Sequence, residues 1–122
     1  MAKMKRILML NYEYPPLGGG AGNATYYILR ELSSRKDLQV DLVTSSTGGF
    51  RMEKLSDNIT IYFLDIGKKG SLHYQSNRDV ASYYFKAYRQ CKELLKRKKY
   101  GVVHAFFGFP CGHIAMRLGL PY

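Results

Sequence analysis

The first hydrophobic run, Ile7-Leu8-Met9-Leu10, follows the charged pair Lys5-Arg6 and ends before Tyr14-Pro15-Pro16, the pattern of a short buried strand closed by a turn. A glycine cluster, Gly18 to Gly20 with Gly22, then leads into a helical pattern. From Ala24 to about Ser34, apolar residues at Ala24, Tyr27, Ile28 and Leu32 lie on one helix face, and Asn23 stands where a cap would accept from the N–H of Tyr26. Leu38 to Thr44 alternates and then runs apolar, predicting a second strand. The polar, glycine-containing stretch 45–58 reads as a connection, and Ile59 to Ile66, rich in β-branched and aromatic residues, as a third strand.

Gly67 to Asn77 has no period and reads as a loop, whereas Val80, Tyr84, Ala87, Tyr88, Cys91, Leu94 and Leu95 make a sustained stripe that predicts a helix from Arg78 to Lys99. Gly101 to Phe107 follows as a fourth strand, and Pro110 to Leu118 as a short helix stopped by Gly119 and Pro121. Strands alternating with helices predict an α/β fold: a Rossmann-like parallel sheet with helices on both faces. Right-handed crossovers order its strands 3-2-1-4. The ligand crevice then lies at the carboxyl ends of strands one and four, where the glycine loop and the loop from Phe107 to Gly112 face each other.

Glycines at a helix start suit phosphate. Their backbone approaches a ligand closely, and the first helical N–H groups carry partial positive charge. The charge balance agrees, since 19 Lys and Arg against 9 Asp and Glu leave a formal net charge of +10, which favours anionic partners without choosing among them. Part of that surplus, Lys92 and Lys96 to Lys99, ends the long helix, where cations suit the macrodipole and a solvated face is the ordinary role. At 122 residues there is room for one domain.

Cys91 and Cys111 form no C-x-x-C pair and no metal spacing with His73, His104 or His113, so reduced, packed thiols are expected. Tyr83, Phe85 and the stripe tyrosines read as core and rim. Ile7 to Leu10 is too short for a secretory segment, and no run approaches a membrane span, which makes the cytoplasm the expected compartment and the sequons at Asn23 and Asn58 coincidental.

Several chemistries fall away. A dinucleotide fingerprint needs a third glycine where Asn23 stands, and an acid where the second strand ends in Thr44-Ser45-Ser46. No Gly-Lys-Ser/Thr follows the glycines, so a P-loop is excluded. The three histidines lie in a loop, a strand and a helix with no nucleophile motif beside them. Glu13 is the carboxylate nearest the glycines, either a helix-end or arginine partner or a ligand for a sugar hydroxyl.

A strand, Tyr-Pro-Pro, a glycine cluster, a helix of small and aromatic residues and a strand ending in Val-Thr together resemble the N-terminal domain of family-four glycosyltransferases of GT-B type. Val102-Val103-His104-Ala105 before a glycine-containing loop is similar to a second motif of that family, although Phe106 stands where relatives often carry another histidine. The resemblance implies a retaining, metal-independent transferase that needs no cofactor beyond its nucleotide-sugar donor. It also implies that residues 1–122 are part of the acceptor-side domain, with the nucleotide-binding domain outside this sequence. Gly18, Gly19, Gly20, Ala21, Gly22 and Asn23 would then face the donor diphosphate, and Glu13, Tyr14, Phe107 and Gly108 the acceptor. No catalytic residue is identified, and the 122-residue chain alone is expected to be inactive.

The resemblance further implies an acceptor glycan or lipid and, with the basic surplus, a peripheral contact with an anionic membrane. An open edge at the fourth strand implies a homo-oligomer. The rival readings are a non-enzymatic α/β module for an anionic partner and the nucleotide domain of an oxidoreductase. Nucleic acid is the least favoured partner, because the aromatics fall on stripes expected to be buried and no nucleic-acid motif is present.

Overall fold

A computed structural model describes residues 4–68 and 75–121. Its elements run β1 (Lys5–Leu10), α1 (Gly20–Leu32), β2 (Leu38–Ser45), β3 (Arg51–Ser56), β4 (Ile59–Leu64), α2 (Asn77–Arg97), β5 (Val102–Ala105) and α3 (His113–Leu118). Among the described residues five strands form one sheet in the order β3-β4-β2-β1-β5. β1 pairs in parallel with β2 and β5, and β2 in parallel with β4.

The parallel part is the expected 3-2-1-4 order, carried by β4, β2, β1 and β5. The correction is β3, an antiparallel edge strand on β4 inside the stretch read as a connection. Arg51 to Lys54 are all exposed, so this strand has no buried face and no alternation to betray it. A tight turn at Asp57-Asn58 joins it to β4, and the Asn58 amide donates to the carbonyls of Leu32, Arg35 and Leu38 at 2.9 to 3.2 Å. That sequon asparagine therefore clamps the hairpin to the α1–β2 connection.

Successive strand residues point to opposite faces, and each face has its own core. On one, Leu8, Leu10, Val43, Tyr62, Leu64 and Val103 pack with Tyr83, Ala87, Cys91 and Leu94 of α2 and Ile114 of α3. On the other, Met9, Val40, Leu42, Ile61 and Phe63 pack with Tyr14 and with Leu29 of α1. Burying a side chain the size of Leu29 or Leu94 contributes about 2 kcal/mol, so the two helix stripes account for much of the adhesion of the layers.

α2 matches its predicted stripe closely and starts with a capping box, Ser76 with Asp79. Lys98 does not belong to a merely solvated run, because its ammonium lies 2.9 Å from the buried Asp41 carboxylate. Phe85 is neither core nor rim but exposed. Both cysteines are free and buried. His73 lies outside the described residues.

α1 differs from expectation in two ways. It begins at Gly20, capped by the backbone of Gly19, so Asn23 sits inside the first turns, exposed, and caps nothing. Its buried residues are Gly22, Thr25 and Leu29, whereas Ala24 and Tyr27 face solvent. The face is turned because Thr25 Oγ1 accepts from the Asn11 amide at 2.7 Å, a tie to the end of β1 that helical spacing does not reveal.

Candidate functional site

The sheet changes direction of winding between β1 and β5, and the loops leaving their carboxyl ends meet there. The Phe106 N–H donates to the Leu10 carbonyl at 2.9 Å, and the rings of Tyr12 and Phe107 lie 5.0 Å apart, so the two loops expected to face each other touch.

The β1–α1 loop is held by Asn11 and Glu13. Asn11 is fully buried; its amide donates to Thr25 Oγ1 and, at 3.2 Å, to the Ala21 carbonyl, while its Oδ1 accepts from the Glu13 N–H at 2.9 Å. Each tie is worth about 1 kcal/mol, and an unpaired buried amide would cost more. Tyr14 to Leu17 forms a turn closed by the Leu17 N–H on the Tyr14 carbonyl at 2.8 Å. Glu13 Oε2 then accepts from the Gly19 N–H at 2.7 Å. Of the two roles considered for Glu13, helix-end partner is the one it occupies here.

Two of the glycines are required by their surroundings. Gly18 has φ +78°, and a Cβ there would stand 1.7 Å from Glu13 Oε2. A Cβ on Gly22 would press the Leu17 carbonyl oxygen at 3.1 Å and the Tyr14 Cα at 3.3 Å, so this glycine lets α1 lie against the loop. Gly19 and Gly20 are exposed, with open space where a side chain would be. The first helical bond is Asn23 N–H to the Gly19 carbonyl, so the N–H groups of Gly20, Ala21 and Gly22 precede the hydrogen-bonded ladder of α1. The partial positive charge of a helix start favours a neighbouring anion, and the Glu13 carboxylate on the Gly19 N–H is one.

The other expected residues divide. Phe107 and Gly108 are exposed at the crevice, and Phe107 holds φ +72°, an unusual conformation for a residue with a side chain. Tyr14 instead is buried, edge-on to Phe63 at 5.8 Å, with its hydroxyl pushed up to about 12 by burial. Its ring packs the core. Tyr12, which the sequence reading missed, takes the crevice position between Tyr83 and Phe107, and burial raises its hydroxyl, assisted by Glu13.

Below the crevice, the fully buried Tyr83 donates to the Val43 carbonyl at 2.7 Å. A hollow of about 560 Å³ runs down the outer side of β5, lined by Ile7, Val102, His104, Phe107, Gly108 and Gly112. Among the described residues no helix is long and apolar enough to cross a membrane.

No model of a protein family matches the sequence, and neither does any curated protein. Among solved structures the chain is similar to sucrose-phosphate synthase from Thermosynechococcus elongatus, with a TM-score of 0.72 and 17% identity over 94% of this chain. The match spans 30% of the length of that synthase. At this identity the likeness concerns architecture: the chain has an α/β fold, a mostly parallel sheet between helices, similar to a domain of a GT-B glycosyltransferase.

Proposed function

We propose that this chain is the acceptor-side domain of a retaining family-four glycosyltransferase, which works with a second domain that carries the nucleotide sugar. The observation that supports this most is the start of α1: the N–H groups of Gly20, Ala21 and Gly22 precede the helical ladder, open space surrounds Gly19 and Gly20, and a carboxylate already lies on the amide of Gly19. Tyr14-Pro15-Pro16 ahead of the glycines and Val102 to Ala105 on the facing strand are the further supports.

In this reading the donor diphosphate comes to rest against α1. Cleavage of the bond between sugar and phosphate builds charge on the leaving oxygen, and donors fixed before the reaction stabilise that charge without reorganising. Glu13 would have to release the Gly19 N–H for the phosphate to approach it, since two anions cannot share that donor without repulsion. The acceptor would lie on the other side of the crevice, over Tyr12, Phe107 and Gly108.

The test joins this chain to a donor-binding domain, in one polypeptide or as a partner, and screens nucleotide sugars for transfer with the anomeric configuration of the product read by NMR. Gly20→Glu places a competing carboxylate at the helix start and is expected to lower kcat about 100-fold with the circular dichroism unchanged. Transfer with inversion, or full activity in Gly20→Glu, would overturn the proposal.

A further inference from the structure

At the amino end of the sheet, away from the crevice, a second hollow of about 540 Å³ opens beside the start of β5. Its apolar lining is Met4, Ile7, Leu38, Tyr100 and Val102. Ile7 and Val102 are register partners on β1 and β5, and Val102 belongs to neither core and is 37% exposed. The same two residues line the hollow of about 560 Å³ that continues along β5 to Phe107. The two spaces therefore adjoin as an apolar trough that follows the strand.

Lys5, Arg6 and Lys99 complete the lining at the amino end, and all three are exposed. Among the described residues no acid lines this hollow, and none of the three cations enters an ion pair. Arg6 donates through Nε to Gln39 Oε1 at 2.8 Å, which leaves its two terminal nitrogens for a ligand. Asp37, whose carbonyl accepts the Lys5 N–H, has its carboxylate on Arg35 at 2.9 Å.

The wall is fixed from within. Lys98, at 2.9 Å, and the Tyr100 hydroxyl both donate to the buried Asp41 carboxylate, and the Gly101 N–H donates to the Arg6 carbonyl at 2.9 Å. These ties hold the connection between α2 and β5 in place, so a ligand meets a wall already ordered.

We infer that this trough binds an anionic amphiphile, a medium-chain carboxylate, with its head group among Lys5, Arg6 and Lys99 and its alkyl tail over Ile7 and Val102 along β5. Apolar space alone would take any oily molecule, and cations alone any small anion. Side by side they select a molecule that carries both, and a trough drawn out along a strand suits a straight tail better than a compact ring system. Lys5 and Arg6 open β1, whereas the crevice lies at its other end, so this ligand is neither sugar donor nor acceptor. The inference stands apart from sugar transfer, which its test does not require.

Octanoate, kept monomeric, should shift the amide resonances of Ile7, Gly101 and Val102 in the ¹⁵N-labelled chain. Uncharged 1-octanol should bind about tenfold more weakly, and acetate at the same concentration should shift none of the three. Lys5→Gln with Lys99→Gln should weaken octanoate binding about threefold per cation. Val102→Trp, which fills the trough, should weaken it about tenfold, with an unchanged circular dichroism spectrum in both variants. Octanol binding as tightly as octanoate would reduce the site to an apolar patch, and undiminished binding to Val102→Trp would put the ligand elsewhere. Either result would overturn the inference, as would shifts centred on Gly19 and Gly20, which would place the carboxylate at the start of α1.

Discussion

Glu13 Oε2 and the Gly19 N–H, 2.7 Å apart, close a loop of seven residues, Glu13 to Gly19, at the start of α1. The closure dictates what the neighbouring positions can hold, because Gly18 lies under the carboxylate with a positive φ. Gly18→Ala should therefore destabilise the fold by about 1–3 kcal/mol through backbone strain and displacement of Glu13. Gly20→Ala, with open space and helical geometry, should be neutral or stabilise by about 0.5–1 kcal/mol. Urea denaturation of the two variants checks this; equal midpoints would show that the loop is not packed around Gly18.

The same contact should compete with anions. Glu13→Gln removes the resident charge and leaves the Gly19 amide with a weaker partner, so pyrophosphate should raise the Tm of the variant more than that of the parent. A shift identical in both proteins would place pyrophosphate elsewhere.

Asp79 links acidity to stability. Burial on its own raises its carboxyl, but the Lys68 ammonium at 2.8 Å and two hydrogen bonds with Ser76 outweigh that and hold it below the usual carboxylate range. A carboxyl depressed in the folded state contributes stability that is complete above its unfolded value of about 3.9 and is lost as pH falls through the lower folded value. Denaturation midpoints measured downward from neutral pH should fall steeply in that acid range, and Asp79→Asn should flatten the fall. Asp79→Ala removes the Lys68 contact and the capping box with Ser76 together and should cost about 1–3 kcal/mol at neutral pH.

How far the sequence was legible follows from where each determinant lies. α2 was readable because its stripe repeats along 21 residues and packs on one core. β3 was not, since Arg51 to Lys54 bury nothing and the strand exists only by pairing with β4. The true start of α1 was hidden because its anchors are remote: Asn11 reaches Thr25 and Ala21, and Glu13 reaches Gly19. That the glycines open α1 and that Phe107 stands in the facing loop could be read from residue types and order. That Tyr12 and not Tyr14 takes the crevice depends on which face of the turn packs on Phe63, a tertiary fact.

The two thiols should be inert while the protein is folded. Burial raises both, Cys111 to about 12 despite the Tyr83 hydroxyl at 4.0 Å, so almost no thiolate exists near neutral pH. Reaction with a thiol reagent should wait on unfolding and accelerate with urea alongside the loss of circular dichroism. Rapid labelling of either cysteine in buffer would show that the core between α2 and α3 opens locally.

The two edges of the sheet differ in what protects them. β3 carries Arg51, Glu53 and Lys54 outward, charges that discourage pairing with another chain. β5, Val102 to Ala105, carries no Lys, Arg, Asp or Glu. Its Val103 N–H bonds the Pro121 carbonyl at 2.8 Å, Val102 is exposed, and hollows of about 560 and 540 Å³ flank the strand, both lined by Ile7 and Val102. An unguarded strand edge beside apolar surface associates. The 122-residue chain in isolation should therefore show a concentration-dependent mass in light scattering, and Val102→Lys should shift it towards the monomer without unfolding it. A parent chain that stays monomeric at high concentration would mean that the segment from Gly119 to Pro121 already protects the edge.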